Sequence, residues 1–276
     1  MLMTISDEQM ILKKAHSLLT ASGITKFPLR IKPIIDHLQA ENDIQILKYT
    51  TMAKTMNVPV ETVGFMVGSD EAALVYNGPD KPACIYYKDV YIPKERIRWN
   101  LGHEIAHYVC GHHLAQYRVK EAGLEMSKTA AARIEAEANL LTRAMHAPLE
   151  LVLAFMWFYD IYHKAGVFTI LRSIFRMSVP AAYYYTDQIF NKNIRQLVNP
   201  ANELPFEGFF LEFTGTFNRD AFDCLLRSYE PEYSMFATDL LRRTQRDYRV
   251  PYQEDISTIL ERVVPRRMTW LGEELG

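Results

Sequence analysis

Cysteine is scarce and its spacing is uninformative of any framework: the 276-residue chain has only Cys84, Cys110 and Cys224. An odd number so widely separated, with no C-x-x-C pair, excludes a disulfide scaffold and reads as reduced core residues of a cytoplasmic protein. Charge of one sign is also lacking. With 31 basic and 33 acidic residues the formal net charge is −2, so no global field draws the chain to nucleic acid or to an anionic membrane. Long hydrophobic runs are absent: the longest, Leu151 to Tyr159, falls far short of the ~20 residues that span a bilayer. Met1 to Thr20 carries acids and lysines throughout and has no apolar stretch of the secretory type, so no signal peptide is expected. No repeat or low-complexity segment is visible. What remains is ordinary globular composition, 49% hydrophobic, in a chain long enough to bury one large core or two smaller ones.

Against that background His103-Glu104-Ile105-Ala106-His107 stands out, because it reads H-E-x-x-H. On a helix, residues four apart share a face, so both imidazoles can grip one metal ion. Glu104 between them is placed to take a proton from a water on that metal. The segment from Arg96 to His112 reads as one helix, entered just after Pro93, with Ile97, Leu101, Ile105 and Tyr108 as its apolar stripe. The histidines fall on the other side. Gly102 and Ala106 flank them and leave room for a neighbouring element. A glycine in mid-helix costs about 1 kcal/mol and calls for such a reason.

Two histidines need a third protein ligand, with a fourth position left for water. His113 and Glu135 compete for it. His113 lies six residues after His107, as in H-E-x-x-H-x-x-G-x-x-H, but the position that should hold the turning glycine is Cys110, and the glycine is Gly111. Glu135 lies in a segment that is helical by composition. It shares a face with Asn139, which is expected to hydrogen-bond a ligating histidine from behind. Ile134, Ala138, Leu141 and Met145 form the adjacent buried stripe, and Glu137 is expected to face solvent. Glu135 is preferred. His112 and His113 then read as the polar end of the metal helix, where cations suit the dipole.

Arg96 through His112 resembles the ImmA/IrrE-type metallopeptidases, whose first motif runs R-x-x-F-[TS]-x-A-H-E-x-x-H. Their second motif, E-x-x-A-[ND]-x-F-A-x-x-L-L-M-P, is met in register by Glu135, Ala138, Asn139 and Pro148. The chain departs from the pattern at Trp99, Asn100, Gly102, Leu141, Thr142, His146 and Ala147, none of which is a ligand or the base. The resemblance spans about residues 28 to 190. It implies an α+β, zincin-like core with a small antiparallel sheet, one catalytic Zn²⁺ held by His103, His107 and Glu135, and Glu104 as general base. The implied activity is limited proteolysis of a helix-turn-helix repressor in bacteria or their mobile elements. Mn²⁺ and Fe²⁺ also suit a two-histidine, one-carboxylate set. In zincins a strand just upstream of the metal helix lines the cleft. Ile85, Tyr86 and Tyr87 are the expected strand, with an edge that could hold an extended peptide substrate.

Other elements are expected as follows: helices over Asp7–Leu19 and Ile31–Ala40, and strands over Asp43–Tyr49, Thr62–Val67, Ala72–Tyr76 and Ala83–Tyr87. The last two should pair antiparallel across Asn77-Gly78-Pro79-Asp80. After Pro148 three helices follow, Leu149–His163, Val167–Arg176 and Val179–Asn191, the last capped by Ser178. These suggest a core over 1–150, a helix-turn-helix-like unit over 151–198 and a mostly helical tail of unassigned role over 199–276. In the tail Phe209–Phe213 reads as a strand and Ser234–Tyr248 as a helix. The would-be recognition helix carries Tyr183, Tyr184, Tyr185, Asp187 and Gln188 with no basic residue before Lys192, which argues against direct DNA binding. The alternative to an enzyme is a regulator with structural zinc. It would close the site with a fourth ligand such as His113 or Cys110.

Overall fold

Twelve helices and three strands lie among the described residues, which are 3–191 and 206–244 of this computed structural model. Contacts divide the chain into two units, Met1–Ile24 with Arg30–Met145, and Thr25–Leu29 with His146–Gly276. The fold is α+β.

The first unit opens with α1 (Ile5–Ala21), started by a reciprocal cap in which the Thr4 hydroxyl accepts from the Asp7 amide and the Asp7 carboxylate accepts from the Thr4 amide. Ile11, Ala15, Leu18 and Leu19 recur at helical spacing and are buried. Then come α2 (Ile31–Glu41), β1 (Ile44–Lys48), α3 (Tyr49–Met56), α4 (Val60–Val67), β2 (Ala72–Val75), β3 (Ala83–Tyr87), α5 (Lys94–Val109), α6 (His112–Glu121) and α7 (Lys128–His146). The sheet order is β1-β3-β2. As expected, β2 and β3 pair antiparallel, with Leu74 opposite Ile85. The sheet is nevertheless mixed rather than antiparallel, because β1 and β3 run parallel, with Ile46 opposite Ile85. A parallel pair needs a long crossover, and α3, α4 and β2 supply it.

The expected strand over Thr62–Val67 is the helix α4. Its β-branched residues suggest a strand, but Val60, Val63 and Val67 form a helical stripe that packs on Tyr49 and Ala53. Gly68, at φ +77°, ends the helix in the left-handed conformation that glycine adopts without strain.

The second unit holds α8 (Leu149–Phe158), α9 (Lys164–Ser173), α10 (Val179–Asn191), α11 (Glu207–Thr216) and α12 (Arg219–Thr244). α8 is apolar almost all round and buries Leu151 through Met156, as a core helix must. The expected strand at Phe209–Phe213 is part of α11, since Phe209, Phe210 and Phe213 at helical spacing close around Phe155, with ring centroids 5.0 Å away for Phe210 and 5.4 Å for Phe213. α12 packs against α9 and α10. Arg172 bonds Glu232, and Tyr183 meets Tyr233 at 5.5 Å and Phe236 at 5.0 Å. The described residues 146–191 and 206–244 fall in one unit. The first tyrosine of the would-be recognition helix is a packing residue, and Asp187 pairs with Lys164 at 2.7 Å. The expected breaks at Asn199-Pro200 and Leu204-Pro205, and Arg246, Arg249, Arg262, Arg266 and Arg267 of the basic tail, lie outside the described residues. Among the described residues no helix is long and apolar enough to cross a membrane.

Candidate metal centre

The H-E-x-x-H helix is α5. Leu101, Ile105 and Ala106 are buried at 2% exposure or less, and they seat the helix against the first unit's interior. α5 stops earlier than its pattern suggests. Gly111 takes φ +76°, its amide bonds the Tyr108 carbonyl, and the chain starts α6 at His112. His112 and His113 are therefore not the solvated end of the metal helix. They open a second helix and are buried, at 4% and 8% exposure.

His103 and His107, one turn apart, point their Nε2 atoms at the same place, 3.1 Å from each other. α7 delivers Glu135 there: its Oε2 is 3.3 Å from His103 Nε2 and its Oε1 is 3.4 Å from His107 Nε2. These three residues form the group of potential ligands found among the described residues. The donor set suits a cation. Ligands of a tetrahedral ion at about 2.05 Å stand roughly 3.3 Å apart, the spacing seen among these atoms. The site is reachable, because the Glu135 side chain is 56% exposed while His103 and His107 are largely covered.

Electrostatics keep both histidines neutral and ready to donate lone pairs. Burial lowers the His103 pKa, and it outweighs the opposing pull of the Glu135 carboxylate. His107 is pushed down to about 3, by burial first and then by neighbouring His103 and His112.

Glu104 lies on α5 beside this cluster. Its Oε2 accepts a 2.8 Å hydrogen bond from the Leu74 amide of β2, which fixes the carboxylate. Burial raises it to about 7, opposed by that hydrogen bond and assisted by Glu135. At the other end of β2, Glu71 holds Arg96 and Asn100 of α5. Strand and helix are thus tied at both ends.

His113, the competing third ligand, is turned away. Its ring stacks on Tyr108 at 4.8 Å and meets Tyr76 edge-on at 5.1 Å. Cys110 is likewise outside the cluster, and burial pushes its thiol up to about 11. Asn139 does not take the supporting role expected of it. His103 Nδ1 is buried with no hydrogen-bond partner among the described residues, and His107 Nδ1 is held 3.0 Å from His112 Nδ1. Glu137 does not face solvent. It takes His112 Nε2 at 3.0 Å and Arg133 Nε at 2.8 Å, and Arg133 reaches Asp7 of α1 at 3.1 Å. The sequence held a signal for this chain in the i, i+4 pair Arg133 and Glu137 and in two histidines directly after a glycine.

The expected substrate strand is also corrected. Ile85, Tyr86 and Tyr87 of β3 are central in the sheet, paired with β1 on one side and β2 on the other, so they offer no edge. α5 packs against both β2 and β3, and of these β2 is the edge strand. Its amides at Ala72 and Leu74 donate to Ser69 Oγ and to Glu104, so they are not available to an added strand. In the second unit, the Tyr185 hydroxyl donates to the Ala147 carbonyl at 3.0 Å, and His163 caps α9 by accepting from the Gly166 amide at 3.1 Å. No family model, curated protein or solved structure matches the chain.

Proposed function

We propose that this protein is a zinc-dependent endopeptidase. The observation that carries the reading is the convergence of His103, His107 and Glu135 with a half-buried carboxylate, Glu104, held next to them by the sheet. Two histidines and one carboxylate from separate helices make a three-ligand set that leaves a coordination position open, the arrangement of hydrolytic rather than structural zinc. A divalent cation there supplies Lewis acidity towards a carbonyl and lowers the pKa of water to near neutrality.

The chain's own residues do the rest. Glu104 accepts the proton of the attacking water and returns it to the leaving amine as the peptide C–N bond breaks. The Leu74 amide keeps that carboxylate in one orientation through both transfers. The hydrophobic seat of α5 at Leu101 and Ile105 keeps the two histidines in register. The proposed substrate class, a helix-turn-helix repressor cut at a limited number of bonds, rests on the resemblance of the two sequence motifs to the ImmA/IrrE family.

The test is metal content followed by cleavage. Purified full-length protein should carry about one zinc per chain. It should generate new amino termini from a quenched-fluorescent peptide library, stop on chelation and resume on adding zinc back. Protein that takes up no zinc on titration, or zinc-loaded protein whose cleavage is unaffected by chelators, refutes the reading.

A further inference from the structure

We infer that His112 and Glu137 are positioning residues that lock His107 in the one tautomer able to bind a metal. The inference rests on the three-ligand site above, not on peptidase activity.

A neutral imidazole has one N–H and one lone pair. His107 Nε2 faces His103 and Glu135, so ligation needs its lone pair at Nε2 and its proton at Nδ1. That proton needs an acceptor, and the atom 3.0 Å away is Nδ1 of His112. His112 Nδ1 accepts only if its own proton is on Nε2. This is the atom that faces Glu137 Oε2 at 3.0 Å. A carboxylate can only accept, so it holds the His112 proton at Nε2. The polarity of the whole chain is then set: His107 donates to His112, and His112 donates to Glu137. The reverse polarity would turn a lone pair of His112 toward a carboxylate and move the His107 proton onto Nε2, where it blocks the ligand atom.

The arrangement is built to hold. His112 is 4% exposed, so water does not readily stand in for either partner. Arg133 bonds the second oxygen of Glu137 and is itself anchored by Asp7, which keeps the carboxylate charged and aimed. The chain runs from α1 through α7 and α6 to α5, whereas Nδ1 of His103 has no such partner among the described residues. A histidine between ligand and carboxylate lengthens the usual carboxylate–histidine–metal arrangement by one ring.

The experiment uses the full-length, metal-free protein with ¹⁵N-labelled histidine, and Glu137→Gln beside it. A glutamine amide can accept or donate, so it releases the polarity without emptying the site. In the wild type, ring-nitrogen shifts should give His107 as the Nδ1–H form and His112 as the Nε2–H form. In Glu137→Gln, His107 should become a mixture, and zinc affinity by competition titration should fall about 10- to 100-fold, with thermal unfolding of the metal-free protein nearly unchanged. His107 in the Nε2–H form in the wild type overturns the inference. So does a Glu137→Gln protein whose His107 remains purely Nδ1–H, whether its zinc affinity holds or falls. If the wild type takes up no zinc, the metal reading fails separately, and the tautomer result still decides this one.

Discussion

Replacing Glu104 by glutamine separates the chemistry from the architecture. The side chains are isosteric, and the glutamine carbonyl can accept the same Leu74 amide that Glu104 Oε2 accepts at 2.8 Å. The three ligand residues are untouched. Burial already opposes the charge on Glu104, raising its pKa to about 7, so a neutral amide is at least as well tolerated there. On the proposed mechanism, what is lost is proton transfer. General acid–base catalysis is worth about 10²- to 10⁴-fold, which is roughly 2.7 to 5.5 kcal/mol of barrier. Glu104→Gln should therefore keep about one zinc per chain and a thermal midpoint at or above the wild type. Its kcat/KM on a quenched peptide should fall by two to four decades. Metal content, thermal unfolding and initial rates on the same preparation decide it. A variant that keeps zinc and cuts at the wild-type rate refutes Glu104 as the base, and one that loses zinc refutes the separation of base from ligands.

Further outcomes are expected elsewhere in the chain. Glu135→Ala should sharply weaken zinc uptake, whereas His113→Ala should leave it intact because that ring stacks on Tyr108; the reverse in a metal titration would reassign the third ligand. Tyr49→Phe removes a 2.7 Å bond to the Ser69 carbonyl and should cost about 1 kcal/mol at pH 7. Burial raises the Tyr49 pKa to about 12. Burial of the neutral phenol therefore contributes stability to the wild type that is fully present below the unfolded value of ~10 and is lost as pH rises through 12, a loss the phenylalanine variant does not share. The gap between the two proteins in urea unfolding should narrow from pH 10 upward, and a constant gap would contradict the assignment. Phe155→Ala empties a fully buried ring site enclosed by Phe209, Phe210 and Phe213 and should cost about 3–5 kcal/mol of second-unit stability. A loss below ~1 kcal/mol would mean that the aromatic cluster is not its core.

Local pattern carried the H-E-x-x-H helix well. Four-residue spacing puts His103 and His107 on one face whatever surrounds them, and the stripe through Leu101 and Ile105 names the opposite face. It failed where two readings share one composition. Thr62 to Val67 looks like a strand by propensity, and only the fit of the Val60, Val63 and Val67 stripe onto Tyr49 and Ala53 makes it part of a helix. Phe209 to Phe213 likewise looks like a strand until the ring of Phe155 is there to be enclosed.

Spacing along the chain was enough to name the helix that carries His103, Glu104 and His107 and the face its histidines share, because that depends on periodicity within one helix. Tertiary structure alone decided which strand meets Glu104, that β3 is covered on both sides, and that His113 is spent on aromatic packing while Glu135 reaches the histidines. It also decided that His112 and Glu137 stand behind His107. Those are contacts between elements distant in the chain. Periodicity fixes a residue's face on its own helix, but not what that face will meet.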